Sequence, residues 1–158
     1  MRSIKVIGVS GSGKTTVIKE ILRRHPEAVH LGYSEYRARY GAGAEAAWEA
    51  ALAAGHPLYL FDEHLEFGNG DVAADFRRER TVGMVFLELS AEELLRRRLG
   101  DVIRQRDTDL VRAMSEQATA WQRAEDIART LKVPLIKLRD PRPEDSLRTL
   151  EQLILATA

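Results

Sequence analysis

The segment Gly8–Thr15 contains the residues whose types and spacing point most clearly to chemistry. It reads GVSGSGKT, the pattern expected of a loop that wraps a phosphate chain. Glycines let successive backbone N–H groups point inward as an anion nest, and a helix that begins here adds its dipole. Lys14 can reach the outer phosphates, and the Thr15 hydroxyl is placed to ligate Mg²⁺. We therefore expect ATP and Mg²⁺ as ligands of this phosphate loop. The residues expected to bind them are Ser10, Gly11, Ser12, Gly13, Lys14, Thr15 and Thr16.

Acidic residues follow a later apolar run. Leu58–Phe61 reads LYLF, and Asp62, Glu63 and His64 come directly after it. The carboxyl end of a buried strand is where open α/β sheets bind ligands. Asp62 is therefore expected to hold Mg²⁺ through water, or to take the proton of a hydroxyl acceptor, and His64 is a candidate substrate contact. A second interpretation stays open, in which Glu63 polarises water in a hydrolytic ATPase.

Arginines are concentrated in residues 92–109, which read EELLRRRLGDVIRQRDTD. Phosphoryl transfer needs positive charge around the equatorial oxygens and the exclusion of water. We therefore expect a lid over about 97–109, in which Arg104 and Arg106 act on the transferring group. Arg96 and Arg98 are expected on a solvated helix, in ion pairs four residues apart such as Glu92 with Arg96.

The segments between these residues alternate between strand-like and helix-like patterns. Helical periodicity predicts helices over about 15–24, 44–54, 91–99, 110–131 and 144–156, and a short polar helix over 72–80. Five apolar, β-branched runs predict strands: Ser3–Gly8, Ala28–Leu31, Leu58–Phe61, Val82–Leu89 and Pro134–Leu138. This order predicts an α/β domain of three layers over residues 1–158, with a five-stranded parallel sheet and helices on both faces.

The segment between the second and third strands, about 32–57, is expected to bind the acceptor. It is short and leaves room for little beyond one helix. Tyr36 could stack on a base, and Arg37 or Arg39 could hold an acceptor phosphate. The histidines at 25, 30 and 56 show no ligand spacing and are interpreted as structural.

Composition excludes several classes of function. The 158 residues include 24 Lys and Arg and 24 Asp and Glu, so the formal net charge is zero. No global basic field is available to collect nucleic acid or an anionic membrane. Cysteine is absent, which excludes disulfides and thiolate chemistry. The single asparagine, Asn69, is followed by Gly70, so the N-K-x-D segment of switch GTPases is missing. No apolar run reaches transmembrane length, and we expect a cytoplasmic protein without membrane or nucleic-acid partners.

Taken together, these motifs resemble the archaeal-type adenylate kinases, within the nucleoside monophosphate kinases of the P-loop NTPase fold. The resemblance covers about residues 3–16 and 58–138. The residues that carry it are the phosphate loop, the D-x-H of Asp62, Glu63 and His64, the pattern of Arg97, Asp101, Arg104, Arg106 and Asp107, and the later Arg123 and Ala124. It implies that Lys14 and Thr15 handle ATP and Mg²⁺, that Asp62 holds a metal-bound water, and that Arg97, Arg104 and Arg106 face phosphates.

The sequence departs from the pattern of these kinases at two places, and the identity of the acceptor is therefore left open. The acceptor segment is short, and the Gly/Pro-rich stretch that such kinases carry after D-x-H is replaced here by 65–80, which contains no proline. The expected function is an ATP-dependent small-molecule kinase, with a nucleoside monophosphate as the first candidate acceptor. A kinase of a small hydroxyl metabolite, as in the wider shikimate and gluconate kinases, is an alternative. So is an ATPase or nucleotide-dependent switch without an acceptor.

Overall fold

The computed structural model describes residues 2–9, 11–65, 80–100 and 109–158. Within these ranges, strands and helices alternate along the chain. The strands are β1 (Arg2–Ile7), β2 (Ala28–Gly32), β3 (Leu58–Glu63), β4 (Arg80–Glu88) and β5 (Leu135–Arg139). The helices are α1 (Lys14–Arg24), α2 (Tyr33–Tyr40), α3 (Ala44–Ala53), α4 (Ala91–Leu99), α5 (Leu110–Leu131) and α6 (Pro143–Ala156), and a 3₁₀ turn (Gly41–Gly43) joins α2 to α3.

The five strands form one parallel sheet in the order β2-β3-β1-β4-β5. Because β1 is central, the phosphate loop that follows it emerges in the middle of the sheet. The end of β3 lies beside it, since Val6 of β1 is in register with Asp62. On its other side, Asp62 is in register with Gly32 of β2. The sheet therefore brings the phosphate loop and the acidic end of β3 to the same edge.

Alternate residues of the strands support two hydrophobic cores. On one face, Ile4 and Val6 of β1 lie in a buried cluster with residues of α1 and α6, among them Ile18 and Leu150. On the other face, residues of β1 and β4 form a cluster with α5, and a smaller cluster joins β3 to α2 and α3. Helices thus cover both faces of the sheet, and the predicted three-layer fold is confirmed.

The helix boundaries follow from local capping. Ser90 Oγ accepts a hydrogen bond from the backbone N–H of Glu93 at 3.3 Å, as the sequence Ser-x-x-Glu predicts for the start of α4. Asp109 Oδ1 accepts from the N–H of Arg112 at 3.1 Å and so caps α5. Both caps satisfy backbone donors that the first turn of a helix leaves free.

The structure corrects the sequence prediction at two places. The acceptor segment contains two helices, α2 and α3, instead of one. Helix α2 was missed because most of its side chains are exposed and give little apolar periodicity. Strand β4 begins at Arg80, where the predicted polar helix was expected to end. The rest of that helix, 72–79, lies outside the described residues. No helix in the described ranges is long and apolar enough to cross a membrane.

The side chain of Gln117 connects α5 to the end of β4. Its amide donates to the carbonyl of Leu89 at 2.7 Å and accepts from the N–H of Leu89 at 2.9 Å. Gln117 is buried, so these two bonds satisfy backbone groups that have little access to water. They fix the point where the chain leaves the sheet for α4.

Replacing Gln117 with leucine is expected to lower the free energy of unfolding by about 2 to 4 kcal/mol, because two buried backbone groups lose their partner. Urea unfolding followed by circular dichroism measures the change. The matched control is Gln122→Leu on the exposed side of the same helix, which should stay within about 0.5 kcal/mol of wild type. Equal losses in the two variants would contradict the role assigned to Gln117.

Candidate functional site

The phosphate loop turns tightly because of its glycines. Gly11 and Gly13 have φ values of +92° and +94°, in the left-handed region that favours glycine. A Cβ placed on Gly8 would lie 2.4 Å from Ser12 Oγ, so this position also needs a glycine. Ser12 is buried, and its Oγ has no hydrogen-bond partner among the described residues. This geometry is that of an anion nest. Ser10, predicted to bind the nucleotide, lies outside the described part of the chain.

Lys14 lies where the phosphate loop meets the end of β3. Its side chain is buried, and Nζ donates to the carbonyl of Gly8. The same Nζ is 3.5 Å from His64 Nδ1 and 3.8 Å from Asp62 Oδ1. The structure thus brings together three side chains that the sequence predicted for one site. Thr15 and Thr16 follow in the first turn of α1.

The carboxylate of Asp62 is ionised in this environment. Its side chain is only 12% exposed, and burial is the largest influence and opposes ionisation. His30, Lys14 and His64 together outweigh it, and the pKa of Asp62 lies below its ordinary value. The site therefore places a negative charge beside the Lys14 ammonium at the end of a strand.

The residues present fit Mg²⁺ that is carried by a nucleotide. The described residues contain no group of three or more His, Asp or Glu side chains arranged to hold a metal. Mg²⁺ keeps several waters and binds through one or two protein groups together with substrate phosphates. Asp62 Oδ1 is buried and has no hydrogen-bond partner in the described ranges. Asp62 and the Thr15 hydroxyl are the groups that could contribute to such a site.

Two neighbouring arginines of α4 have different surroundings. Arg97 Nη1 donates to the carbonyl of Ser12 at 3.1 Å and its Nε donates to Glu93 at 2.9 Å. Arg96 is 72% exposed and pairs with Glu93 instead of the expected Glu92. Hydrogen bonds from Arg96 and then Arg97 lower the pKa of Glu93 to about 2. Of these two arginines, Arg97 is therefore the one that reaches the phosphate loop.

Arg104 and Arg106 of the predicted lid lie within 101–108, outside the described residues, and the lid stays a prediction from the sequence.

Two grooves lie beside the phosphate loop on the side of α4 and α6. The first, of about 500 Å³, is lined by the turns that follow β4 and β5, including Arg97, Asp140 and Pro143. The second, of about 610 Å³, lies between α1 and α6 and includes Thr16 and Pro143. Arg97, which lines the first groove, contacts the phosphate loop, and Thr16, which lines the second, follows that loop in α1. We call them together the donor groove, since they could take the base and ribose of a nucleotide.

The donor groove was not predicted from the sequence. Its wall depends on contacts between distant turns, since Asp140 Oδ1 accepts from the N–H of Ser90 at 2.7 Å and Asp140 N–H donates to the carbonyl of Glu88. Asp140 has a φ of +42°, which is uncommon for a residue with a side chain. The prolines at 141 and 143 gave the one local signal that the chain turns here.

The predicted acceptor residues lie on α2, on the other side of the site. The Tyr36 ring is 5.6 Å from the Trp48 ring, which is 5.8 Å from the Phe61 ring of β3. Burial raises the pKa of the Tyr36 hydroxyl above its ordinary value. Arg37 and Arg39 are exposed on the same helix. Tyr36 is thus packed against the sheet near the end of β3, while the arginines face outward.

One residue near the site was interpreted as structural from the sequence. His30 of β2 lies with Nε2 3.5 Å from Asp62 Oδ2. No sequence spacing reveals this contact, because it depends on the pairing of β2 with β3. The neighbouring glycine, Gly32, was the available hint, since a strand glycine often marks a close approach.

Comparisons with known proteins support the fold through structure alone. No protein-family model matches the chain, and no curated protein matches its sequence. The structure of deoxyadenosine kinase from M. mycoides, with dCMP and a flexible dCDP bound, has a TM-score of 0.61 and 12% identity, covering 99% of this chain and 100% of that chain. Shikimate kinase from Acinetobacter baumannii in complex with shikimate has a TM-score of 0.59 and 20% identity, covering 98% and 93%. The chain therefore has the fold of these P-loop kinases, and the likeness does not single out the archaeal-type adenylate kinases.

Proposed function

We propose that the protein is a P-loop kinase that transfers the γ-phosphoryl group of ATP to a small acceptor in the presence of Mg²⁺. The observation that carries the proposal is the convergence of Lys14, Asp62 and Arg97 on one phosphate loop. A nucleoside monophosphate is the first candidate acceptor. The expected setting is the cytoplasm, without a membrane or nucleic-acid partner.

The donor would lie across the phosphate loop with its base in the donor groove. Phosphoryl transfer requires mainly positioning and charge stabilisation from the protein. Lys14 would neutralise charge on the β- and γ-phosphates, and Arg97 would add a second cation at the same loop. When bound, Mg²⁺ supplies charge neutralisation of the phosphate oxygens, and Thr15 and Asp62 would hold it. Arg104 and Arg106 of the lid are proposed to add further positive charge around the transferring phosphoryl group.

The acceptor would approach from the side of α2, opposite the donor groove. Tyr36, Arg37, Arg39 and His64 are proposed to bind it. A phosphate acceptor is already an anionic nucleophile and needs no base, whereas a hydroxyl acceptor could give its proton to Asp62. The deoxyadenosine kinase structure contains dCMP as a product, and the shikimate kinase structure contains shikimate. These ligands support a nucleoside or a small hydroxyl metabolite as an acceptor that the screen must include beside the nucleoside monophosphates.

The alternative of an ATPase without an acceptor depends on Glu63. Successive residues of a strand point to opposite faces of the sheet. In agreement with this, Asp62 lies beside Lys14, whereas Glu63 Oε1 lies 4.0 Å from Nζ of the buried Lys5. This placement favours Asp62 over Glu63 as the carboxylate that acts at the phosphates.

A screen of acceptors tests the proposal. The full chain is incubated with ATP, Mg²⁺ and single members of a panel of nucleoside monophosphates, nucleosides and small hydroxyl metabolites, and ADP and products are identified by mass spectrometry. We expect one class of acceptor in the panel to raise the rate of ADP formation and to gain a phosphoryl group. Release of inorganic phosphate at the same rate with every acceptor would overturn the proposal. A thermal-shift screen with a non-hydrolysable ATP analogue narrows the panel, because a ligand at 100 times its dissociation constant stabilises by about 2.7 kcal/mol.

Arg97→Ala is expected to weaken ATP binding by about tenfold, because a hydrogen bond to a charged group contributes about 1.5 kcal/mol or more. Calorimetry with the ATP analogue measures this loss. Arg129→Ala on α5 is the control, since Arg129 is an exposed arginine that pairs with Asp126 and lines neither groove. Its affinity should equal that of wild type. The same loss in both variants would mean that the loss reflects the overall charge of the protein and not the contact of Arg97 with the phosphate loop.

A further inference from the structure

His30 lies between two carboxylates. It is in the middle of β2 with its side chain only 9% exposed. Nδ1 is 2.9 Å from Glu35 Oε2, in the first turn of α2. Nε2 is 3.5 Å from Asp62 Oδ2 and has no hydrogen bond within the described residues. Burying an imidazole between two acidic groups requires that the surrounding structure hold all three in place.

The backbone around His30 is built for this close approach. Gly32 is in register with Asp62 across the β2–β3 pair. A Cβ on Gly32 would lie 3.0 Å from His30 Nε2 and 3.4 Å from Asp62 Cβ. A larger residue at 32 would therefore require the imidazole to shift by a few tenths of an ångström.

The two oxygens of Asp62 face different partners. Oδ1 faces Lys14 Nζ at 3.8 Å, on the side of the phosphate loop, and Oδ2 faces His30. Rotation about the last bond of an aspartate side chain is soft. A group that holds Oδ2 therefore decides where Oδ1 points.

We propose that His30 is a positioning residue for Asp62. Its Nε2 lies beside Oδ2 at 3.5 Å, which leaves Oδ1 directed to the place where nucleotide-borne Mg²⁺ would bind, and Glu35 anchors the imidazole from α2. The inference rests on the proposed function, in which Asp62 acts toward Mg²⁺, and it adds a residue that the phosphate loop and the D-x-H motif do not contain. Groups that orient metal-binding side chains typically change metal affinity or activity by about 10- to 100-fold when removed.

Two amide variants separate this role from a merely structural one. In His30→Gln, the amide nitrogen can reach the position of Nε2 and donate to Asp62. In His30→Asn, the amide nitrogen reaches only the position of Nδ1, so the contact with Glu35 is kept and the contact with Asp62 is lost. The affinity for a non-hydrolysable ATP analogue is measured by calorimetry with and without Mg²⁺, and kcat and KM are measured with saturating acceptor.

We expect His30→Asn to reduce the gain in nucleotide affinity that Mg²⁺ provides, and to lower kcat, each by about 10-fold or more. Its affinity without Mg²⁺ and its KM for the acceptor should be unchanged. His30→Gln should resemble wild type in both measurements. His25→Asn is the control, because His25 also pairs with a glutamate, Glu151, at 2.7 Å, but follows the end of α1 that is remote from the phosphate loop.

The opposite ranking of the two variants, or a Mg²⁺ effect that neither variant changes, would overturn the inference. Urea unfolding measures the stability of both variants. If His30→Asn and His30→Gln lose stability equally and also lose the Mg²⁺-dependent gain in affinity equally, the loss reflects the fold, and the positioning role of His30 is wrong. The binding measurement needs no acceptor and no turnover. A wild-type protein that binds the nucleotide with Mg²⁺ but transfers no phosphoryl group would contradict the proposed function and leave the role of His30 to be decided by binding.

Discussion

Replacing Lys14 with alanine is expected to lower kcat for phosphoryl transfer by about 10²- to 10³-fold, the usual effect of removing one preorganised group that stabilises developing charge. The Lys14 ammonium is held by the carbonyl of Gly8 and lies 3.8 Å from Asp62 Oδ1, so it is fixed at the phosphate loop before a nucleotide binds. The rate is measured with ATP and acceptor both saturating, which separates a loss of catalysis from a loss of binding.

The control for Lys14 removes a cation from a remote site. Arg129→Ala, on α5, eliminates an exposed arginine that pairs with Asp126, and its kcat should equal that of wild type. Far-UV circular dichroism checks that both variants keep the fold. Near-normal turnover of a folded Lys14→Ala variant would mean that the phosphate loop does not act in the reaction.

Replacing Asp62 with asparagine is also expected to have a large effect on the reaction. Whether it changes the Mg²⁺ requirement or kcat depends on the acceptor. The change preserves shape and removes the negative charge. For a phosphate acceptor, Asp62 serves only Mg²⁺, so the Mg²⁺ concentration needed for half-maximal rate rises and kcat recovers at saturating Mg²⁺. For a hydroxyl acceptor, the variant also lacks the base, and kcat falls by about 10²- to 10⁴-fold at every Mg²⁺ concentration.

The measurement for Asp62 is a series of rates against Mg²⁺ for wild type and variant, with the acceptor found in the screen. The low pKa of Asp62 means that the carboxylate is charged at neutral pH, so the comparison at pH 7 reports the loss of a charge. If both the Mg²⁺ profile and the rate are unchanged, Asp62 has a structural role only. Glu63→Gln, on the opposite face of β3, is the companion variant for the ATPase alternative and should leave the Mg²⁺ profile as in wild type.

The parts of the site that local sequence determines could be predicted. The phosphate loop is defined by its backbone conformation. Gly11 and Gly13 are needed for their positive φ values, and Gly8 is needed because Ser12 of the same segment lies close to it. The placement of Asp62 followed from the apolar run before it, because parallel strands end at a common edge. The order of strands and helices then gave the three-layer fold.

The parts that depend on contacts between distant segments could not be predicted. His30 meets Asp62 only through the register of β2 with β3, and the donor groove needs the turns at Ser90 and Asp140 to meet. Arg96 and Arg97 are adjacent in sequence, and the rotation of α4 against the phosphate loop decides which of them reaches it. The sequence indicated Tyr36 as a residue that could contact the acceptor, but its packing on Trp48 depends on the contact between α2 and α3.

The most direct test of the central claim follows the phosphoryl group itself. ATP labelled in its γ-phosphoryl group is incubated with the full wild-type chain, Mg²⁺ and the acceptor from the screen, and the label is divided into acceptor and inorganic phosphate. The proposed kinase predicts that ATP consumption is slow until the acceptor is added, and that the label then appears on the acceptor in an amount equal to the ATP consumed. Label that appears as inorganic phosphate, at a rate that the acceptor does not change, would contradict it.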